Sequence, residues 1–306
     1  MVRMKGFEPL LPKELDSKSS ASANSATSAT HKFFKFTNQI IYCIQIKVNV
    51  NGVIILRFIG VIFLIAALII FMTPEPEGFP ILEYHTITNH PDPSSEIYNV
   101  PPAEFSAQLD YLQENGYTTI TLKDYARARR FGETLPDKPI ILTFDDGYAD
   151  NYDEMLPILE AHGMKAVVFV ITNDIGKSGY LSMWQLKDMQ KRGVEIGSHT
   201  ADHLPLVTLS DEFLINQICL SKIFLEWSGI EPVASLSYPN GVYNSQIIEM
   251  LAQENYLAAV TGEAGLNTLE TDPFKLKRVN IRKPNFGIYE FRWRLFKAEI
   301  FARLKG

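Results

Sequence analysis

Residues 139–147 read Pro-Ile-Ile-Leu-Thr-Phe-Asp-Asp-Gly and predict a strand that ends in two carboxylates. The apolar run Pro139–Phe144 is typical of a strand in a parallel sheet that is covered on both faces. Asp145 and Asp146 follow at its carboxyl end, and Gly147 supplies a turn. The motif therefore places two acidic side chains where a parallel α/β fold carries its active site.

Two histidines follow a second predicted strand later in the chain. Residues 194–197 form the strand candidate, and His199 and His203 come just after it. Their i,i+4 spacing predicts one helical turn with both imidazoles on the same face, where they can bind one divalent cation. Two histidines and one carboxylate, with the remaining positions open to water, are the ligand set of a hydrolytic metal site. The spare carboxylate is then free to act as a base.

Strand-like and helix-like segments alternate along most of the remaining chain. The predicted strands are 80–84, 139–144, 165–171, 194–197, 233–238, 256–260 and 276–281. The predicted helices are 102–115, 122–130, 151–162, 182–192, 210–227 and 244–254. This alternation predicts an α/β fold with a parallel sheet and helical crossovers, most simply a closed or nearly closed barrel.

The Asp-Asp-Gly strand end and the His-x-x-x-His segment, in this order, resemble the motifs of the polysaccharide deacetylases, the NodB-homology proteins of carbohydrate esterase family 4. The resemblance covers about residues 79–283 and implies a distorted (β/α)7-type barrel. It implies Asp146, His199 and His203 as ligands of one divalent metal ion. Zinc is the default for these ligands, although iron, cobalt or nickel would suit the same set. Asp145 is implied as the base that deprotonates water, and an ordinary turn residue before glycine is its alternative interpretation.

The expected proton donor is displaced in this chain. Most of the family has Leu-x-His near the carboxyl terminus, whereas here the first predicted strand ends in Leu-Glu-Tyr-His at residues 82–85. This arrangement is similar to the subgroup that deacetylates poly-N-acetylglucosamine, whose catalytic histidine comes first in the chain. The resemblance implies that His85 protonates the leaving amine, and a structural cap at the strand end is the alternative.

The third motif departs from the family as well. Residues 237–241 read Ser-Tyr-Pro-Asn-Gly, without the family's usual arginine. The resemblance implies that the Tyr238 N–H donates to the oxyanion while Pro239 fixes the loop, and a plain turn is the alternative. Arg278, in the last predicted strand, is a candidate to replace the missing arginine by pairing with Asp145. Its alternative interpretation is an ordinary surface salt bridge.

Composition narrows the class of protein. The chain has 306 residues, 46% hydrophobic residues and a net charge of −6, without a basic stripe, so a nucleic-acid partner is not expected. The 2 cysteines form no metal motif, and their placement does not predict a disulfide framework.

The N-terminal part predicts a membrane connection. Residues 53–72 are almost continuously apolar and long enough to cross a bilayer, which predicts a transmembrane signal anchor. Basic residues precede this stretch, so the following linker, 73–80, and the catalytic domain, 81–306, are predicted outside the cytoplasm. Cleavage of the apolar segment, giving a secreted protein, is the alternative. Residues 1–52 are interpreted as a disordered extension or a wrongly placed gene start.

Two aromatic features have more than one interpretation. Trp184 is either a wall on which a sugar ring stacks or a core residue of an amphipathic helix. Residues 289–297 are basic and aromatic, and form either a helix that closes the barrel or a segment that rests on a membrane surface.

The sequence thus predicts a membrane-anchored, extracytoplasmic hydrolase that removes N-acetyl groups from N-acetylglucosamine units of an extracellular polysaccharide, of the poly-N-acetylglucosamine type found in biofilms. A peptidoglycan or chitin-oligomer deacetylase and an O-acetyl esterase are alternatives within the same chemistry. A catalytically silent carbohydrate-binding module is the alternative of another class. The spare base speaks against such a module, since a binding protein has no use for it.

Overall fold

A computed structural model of the chain describes residues 57–62, 64–65, 78–230 and 232–305. Two compact units are distinguished, Met1–Ile69 and Ile70–Gly306, and in the first unit residues 57–62 and 64–65 are helical. Within these described stretches no helix is both long and apolar enough to span a bilayer. The predicted extension 1–52, most of the predicted anchor 53–72 and most of the linker 73–80 lie outside the described residues.

A closed ring of seven parallel strands forms the centre of the second unit. The sheet has eight strands in the described residues, all but β2 belonging to the ring: β1 (Ile81–Tyr84), β2 (Thr118–Thr119), β3 (Pro139–Phe144), β4 (Val167–Val170), β5 (Glu195–Ser198), β6 (Ser235–Ser237), β7 (Ala258–Ala264) and β8 (Leu276–Asn280). Strands β3 to β8 pair in chain order, each with its neighbour. Strand β1 pairs with both β3 and β8, which closes the ring. The short β2, which the sequence analysis missed, pairs with the start of β3 outside the ring. The predicted (β/α)7-type barrel is confirmed.

Helices surround this barrel. They are α1 (Pro102–Glu114), α2 (Leu122–Phe131), α3 (a π-helical turn, Asn151–Met155, continued by Leu156–Ala161), α4 (Met183–Lys191), α5 (Asp211–Ile215, Asn216–Leu220 and Ser221–Trp227 in succession), α6 (Ser245–Gln253) and α7 (Ile288–Lys305). The first six agree with the predicted helices to within one residue at either end. In α7, Phe291 and Leu295 are buried, and the Phe291 ring meets Tyr111 of α1 with centroids 5.9 Å apart. Residues 289–297 therefore lie in a helix that packs against the barrel, as the first of their two interpretations expects, and contact with a membrane surface stays a prediction.

Side chains alternate between two cores along the strands, as the pleat requires. In β3, Ile140, Leu142 and Phe144 face the helices, whereas Ile141 belongs to the small core inside the barrel. The same alternation directs Thr143, and Asp145 just beyond the strand, to the interior. The barrel therefore aims every second side chain of its strand ends into one mouth.

Gly241 fixes the loop after β6 against β7. Its φ of +69° lies in the left-handed region, and a Cβ atom at this position would stand 2.3 Å from the backbone nitrogen of Gly262. Gly163, at the end of α3, also has a positive φ, +61°, but an added Cβ there would meet nothing within 4 Å. Both glycines therefore adopt a left-handed backbone, but only at position 241 would an added Cβ atom overlap a neighbour.

We expect Gly241→Ala to destabilise the protein more than Gly163→Ala. The left-handed backbone costs an alanine about 1 kcal/mol at either position, and the overlap with β7 adds about 1–3 kcal/mol at position 241 alone. Urea unfolding of the two purified variants measures this difference. Equal losses of unfolding free energy would show that the loop after β6 is not held by close backbone contact.

Candidate active site

The candidate site lies in the barrel mouth, at the carboxyl ends of the strands. Asp145 and Asp146 follow β3, and His199 follows β5. His85 follows β1, and Arg278 lies within β8. The first four were expected at strand ends and Arg278 within the last strand, and the structure brings all five to one closed sheet.

Asp146, His199 and His203 form a cluster with metal-ligand spacing, since one ligand atom of each lies within 4.8 Å of the others. The Asp146 Oδ1 atom is 3.5 Å from His199 Nε2 and 3.8 Å from His203 Nε2. The two imidazole centroids are 4.6 Å apart. The predicted convergence of these three side chains is therefore present.

The path by which the histidines converge differs from the predicted helical turn. Residues 199–203 are not helical, and Thr200 and His203 have φ angles of +69° and +56°. Side-chain hydroxyl groups accept the backbone hydrogen bonds here. Thr200 N donates to Ser198 Oγ at 3.0 Å, and His203 N donates to Thr200 Oγ1 at 3.1 Å. The expectation of a helical turn was wrong because local hydroxyl groups replace the i−4 carbonyls as acceptors.

The cluster suits a divalent cation in its donor chemistry. The Ser237 carbonyl lies 2.8 Å from His199 Nδ1 and can only accept, so Nδ1 carries the proton and the Nε2 lone pair faces Asp146. Burial lowers the pKa of His203 and so favours its neutral form. Two imidazoles and one carboxylate are the donors that zinc and similar ions prefer.

Asp145 is buried beside this cluster and is bound from the other side by Arg278. The Arg278 Nη1 and Nη2 atoms donate to the two Asp145 oxygens, each at 2.9 Å, and Ser237 Oγ donates to Oδ2 at 3.0 Å. Burial opposes ionisation of Asp145, but the Arg278 guanidinium outweighs it, so the pKa of Asp145 lies well below the usual range. Arg278 is only 3% exposed, so its interpretation as a surface salt bridge was wrong.

Tyr238 does not offer a free amide in this geometry. Its backbone N–H donates to the Val260 carbonyl of β7 at 3.2 Å, and its hydroxyl donates to the Phe274 carbonyl at 3.0 Å. Pro239 is buried and begins a 3-10 turn. Because one N–H group cannot serve the sheet and an oxyanion together, the structure gives the expected oxyanion contact of Tyr238 no support.

His85 also lies close to Asp145. One ligand atom each of Glu83, His85 and Asp145 lie within 4.8 Å of one another. The His85 ring packs on Tyr98, with centroids 4.8 Å apart. Among the described residues its buried Nδ1 atom has no hydrogen-bond partner, which gives the alternative of a structural cap no support.

Glu83 is a residue of this site that the sequence analysis missed. Its Oε1 atom accepts from Asn280 Nδ2 at 2.9 Å, and its Oε2 atom is 3.5 Å from Arg278 Nε. Arg278 therefore contacts two carboxylates, those of Asp145 and Glu83. The available signal was the period-two pattern of β1, which places a charged residue on the interior face of an apolar strand.

Asp150 and Asn151, just beyond the Asp-Asp-Gly turn, support the His85 segment. Asn151 Nδ2 donates to the His85 carbonyl at 3.0 Å, and Asp150 Oδ1 accepts from Ile87 N at 3.1 Å. Burial raises the pKa of Asp150 to about 6. The sequence analysis did not single out this pair, because no motif marks residues whose partners lie on another strand end.

Comparisons with known proteins agree with this geometry. The sequence profile of the polysaccharide deacetylases matches residues 132–259. The Bacillus subtilis protein YxkH, whose name places it with the polysaccharide deacetylases, is 34% identical over 209 residues, covering 68% of this chain and 73% of YxkH. A poly-beta-1,6-N-acetyl-D-glucosamine N-deacetylase of Staphylococcus epidermidis is 26% identical over 222 residues, covering 67% of this chain and 76% of that protein.

Solved structures show the same fold. The Streptococcus pyogenes deacetylase PplD, solved in complex with acetate, matches with a TM-score of 0.66 and 28% identity, over 73% of this chain and 99% of PplD. IcaB from Ammonifex degensii matches with a TM-score of 0.62 over 72% of this chain and 98% of IcaB, and at 23% identity it supports the fold alone. With the relationship to YxkH, these findings show that the chain belongs to the polysaccharide deacetylases, hydrolases of carbohydrate esterase family 4.

Proposed function

We propose that this protein is a metal-dependent hydrolase that removes N-acetyl groups from N-acetylglucosamine units of an extracellular polysaccharide of the poly-N-acetylglucosamine type. The observation that carries the proposal is that two adjacent carboxylates, Asp145 and Asp146, have different partners. Asp146 faces two imidazoles, whereas Asp145 is paired with Arg278 and stays ionised. The name of the Staphylococcus epidermidis relative supports the choice of polymer.

Asp146, His199 and His203 would hold the metal ion, with Zn²⁺ as the first candidate for this donor set. When bound, such an ion supplies Lewis acidity, which polarises a carbonyl oxygen and lowers the pKa of a water molecule toward ~7. The Ser237 carbonyl holds the His199 ring in the tautomer that this role needs.

Asp145 acts as the general base in this proposal. Its Oδ2 atom lies 3.9 Å from His199 Nε2, so it borders the cluster, and it is ionised and therefore ready to accept a proton from water. The bidentate contact with Arg278 fixes the plane of the carboxylate, which orients its oxygens before substrate arrives. Arg278 is thus a positioning residue for the base.

His85 donates a proton to the leaving nitrogen. Attack of water on the acetamide carbonyl and cleavage of the C–N bond release acetate and an amine, and an amine leaves only after it is protonated. One ligand atom of His85 lies within 4.8 Å of one of Asp145, so base and acid border the same space. An O-acetyl ester has a better leaving group and would depend less on His85.

The location of the protein is part of the proposal. A polymer outside the cell requires the catalytic domain to be outside as well, which agrees with a single-pass anchor at 53–72, or with secretion if that segment is cleaved. Protease treatment of intact cells should digest the catalytic domain, and full protection would contradict this location.

The first prediction from this site concerns metal content. We expect the full-length protein to bind one divalent ion per chain, and His203→Ala to weaken that binding by at least about tenfold, because it removes a ligand. Elemental analysis after dialysis and metal titration measure this. His162→Ala is the matched control, since His162 bonds to Ile158 and Asp110 on helices α3 and α1, away from the mouth. Unchanged binding by His203→Ala would remove this residue from the ligand set.

The second prediction concerns turnover. We expect acetate release from N-acetylglucosamine oligomers that a chelator abolishes and added metal restores. Asp145→Asn should lower kcat by roughly 10²–10⁴ while metal content persists, because only the base is removed.

Parallel assays separate the alternatives within the family. Peptidoglycan fragments, chitin oligomers and O-acetylated sugars are compared with β-1,6-linked oligomers, and His85→Ala should reduce amide cleavage more than ester cleavage. A protein that binds these sugars but releases no acetate with any metal would be a silent binding module, contrary to the proposal.

The third prediction concerns the buried ion pair. Arg278→Met leaves Asp145 buried without its partner, so we expect a loss of about 3–5 kcal/mol of unfolding free energy and a decrease in kcat. The double variant with Asp145→Asn should regain part of that stability, since no buried charge is left alone. Arg127→Met, at an exposed pair with Glu133, should change stability by less than about 0.5 kcal/mol. A loss at Arg278 no larger than at Arg127 would show that the pair is not structurally important.

A further inference from the structure

Trp184 is a large aromatic residue left exposed at the edge of the barrel that carries the site. Its side chain is 66% exposed, so the interpretation of Trp184 as a core residue was wrong. It lies in the first turn of α4, and helices of this fold begin at the edge where the strands end. Single exposed apolar residues are common, so exposure alone does not indicate a function.

The backbone and one side of Trp184 are held rigidly. Ser182 and Gln185 form a capping box that fixes the start of α4. The Trp184 ring meets the Tyr152 ring at 5.6 Å and 58°. Tyr152 is itself fixed, because its hydroxyl donates to Asp188 at 2.9 Å and the Arg192 guanidinium lies 5.7 Å from its ring centre. An exposed ring on so rigid a support is pre-organised for binding, since little conformational entropy is lost when a ligand covers it.

Main-chain hydrogen bonds join the Trp184 segment to the metal-ligand turn. Leu181 N donates to the Gly147 carbonyl at 2.9 Å, directly after Asp146, and Ala149 N donates to the Gly179 carbonyl at 2.9 Å. Trp184 is three positions after Leu181, so their Cα atoms are at most about 11 Å apart. Trp184 therefore lies within reach of a short oligosaccharide that has one sugar at the metal-ligand cluster.

A second aromatic pair lies at this same junction. The rings of Tyr148 and Tyr180 stack with centroids 5.4 Å apart and an angle of 21°, one from the loop after β3 and the other from the loop after β4. Both are half-buried. Aromatic side chains thus occur in the loops after β3 and β4 and at the starts of α3 and α4.

We propose that Trp184, supported by Tyr152, forms with the Tyr148–Tyr180 pair a binding surface for sugar residues that flank the one being deacetylated. The inference rests on the proposed function and adds to it a preference for polymer over short substrate. A pyranose ring presents a face of C–H groups that packs on an aromatic ring, while its hydroxyl groups stay in water. Continuity with the metal-ligand turn makes the occupant a further part of the same glycan strand.

The test compares two exposed tryptophans of the full-length protein. Trp227 is 89% exposed and ends α5, just before the chain enters β6, so it lies at the opposite edge of the barrel. We expect Trp184→Ala to lower the ratio of kcat/KM for a β-1,6-linked N-acetylglucosamine pentasaccharide to that for the disaccharide roughly five- to tenfold. Trp184→Phe should restore most of this ratio, and Trp227→Ala should leave it unchanged.

An equal loss on both substrates would overturn the proposal, because it would show a structural role for Trp184. An unchanged ratio would overturn it as well, and a contact with another protein would then account for the exposed ring.

A binding measurement separates this inference from the proposed function. In the Asp145→Asn background, the pentasaccharide should change the tryptophan emission, and the change should vanish with Trp184→Phe but persist with Trp227→Phe. If the emission changes but the wild-type protein releases no acetate, the proposed function fails and the binding surface stands. If acetate is released without an emission change and with a constant ratio, the surface fails and the function stands.

Discussion

The buried contact between Arg278 and Asp145 is the interaction on which the site depends. It joins β8 to the end of β3 across β1, which pairs with both of them and closes the barrel. Neither charge is stable alone in this environment, since an unpaired buried ion costs several kcal/mol. Closure of the barrel and ionisation of the base are therefore coupled, because the strand pairing that completes the ring also brings the guanidinium to the carboxylate.

Backbone strain gathers around the same mouth. Asp146, Thr200 and His203 have φ angles of +73°, +69° and +56°, a conformation that costs a non-glycine residue about 1 kcal/mol or more. The Ser198 and Thr200 hydroxyl groups hold this conformation by accepting backbone N–H groups. The strain has a geometric result, since it turns one carboxylate and one imidazole toward His199 while Asp145, one residue earlier, stays directed at Arg278.

The sequence predicted best what depends on local pattern. The apolar run of β3 and the alternation of strands with helices identified the barrel, because burial on both faces leaves few other folds. One carboxylate and two histidines after predicted strands, in the order seen in the polysaccharide deacetylases, indicated the cluster of Asp146, His199 and His203. Features that depend on contacts between distant segments were predicted less well. The turn at 199–203 follows from hydroxyl acceptors, the Tyr238 amide is engaged by β7, and Glu83 faces Arg278 only once β1 and β8 pair.

Charge balance in the mouth adds an argument for a divalent cation. The carboxylates of Glu83, Asp145 and Asp146 lie with one guanidinium, that of Arg278, so full ionisation leaves a formal excess of two negative charges. The three histidines do not offset this excess unless they are protonated, and His203 is shifted away from protonation. A divalent ion at Asp146 would neutralise the mouth while leaving Arg278 on Asp145. Ion binding would then stabilise the fold itself, because the energy of the unpaired carboxylates is part of the folding free energy.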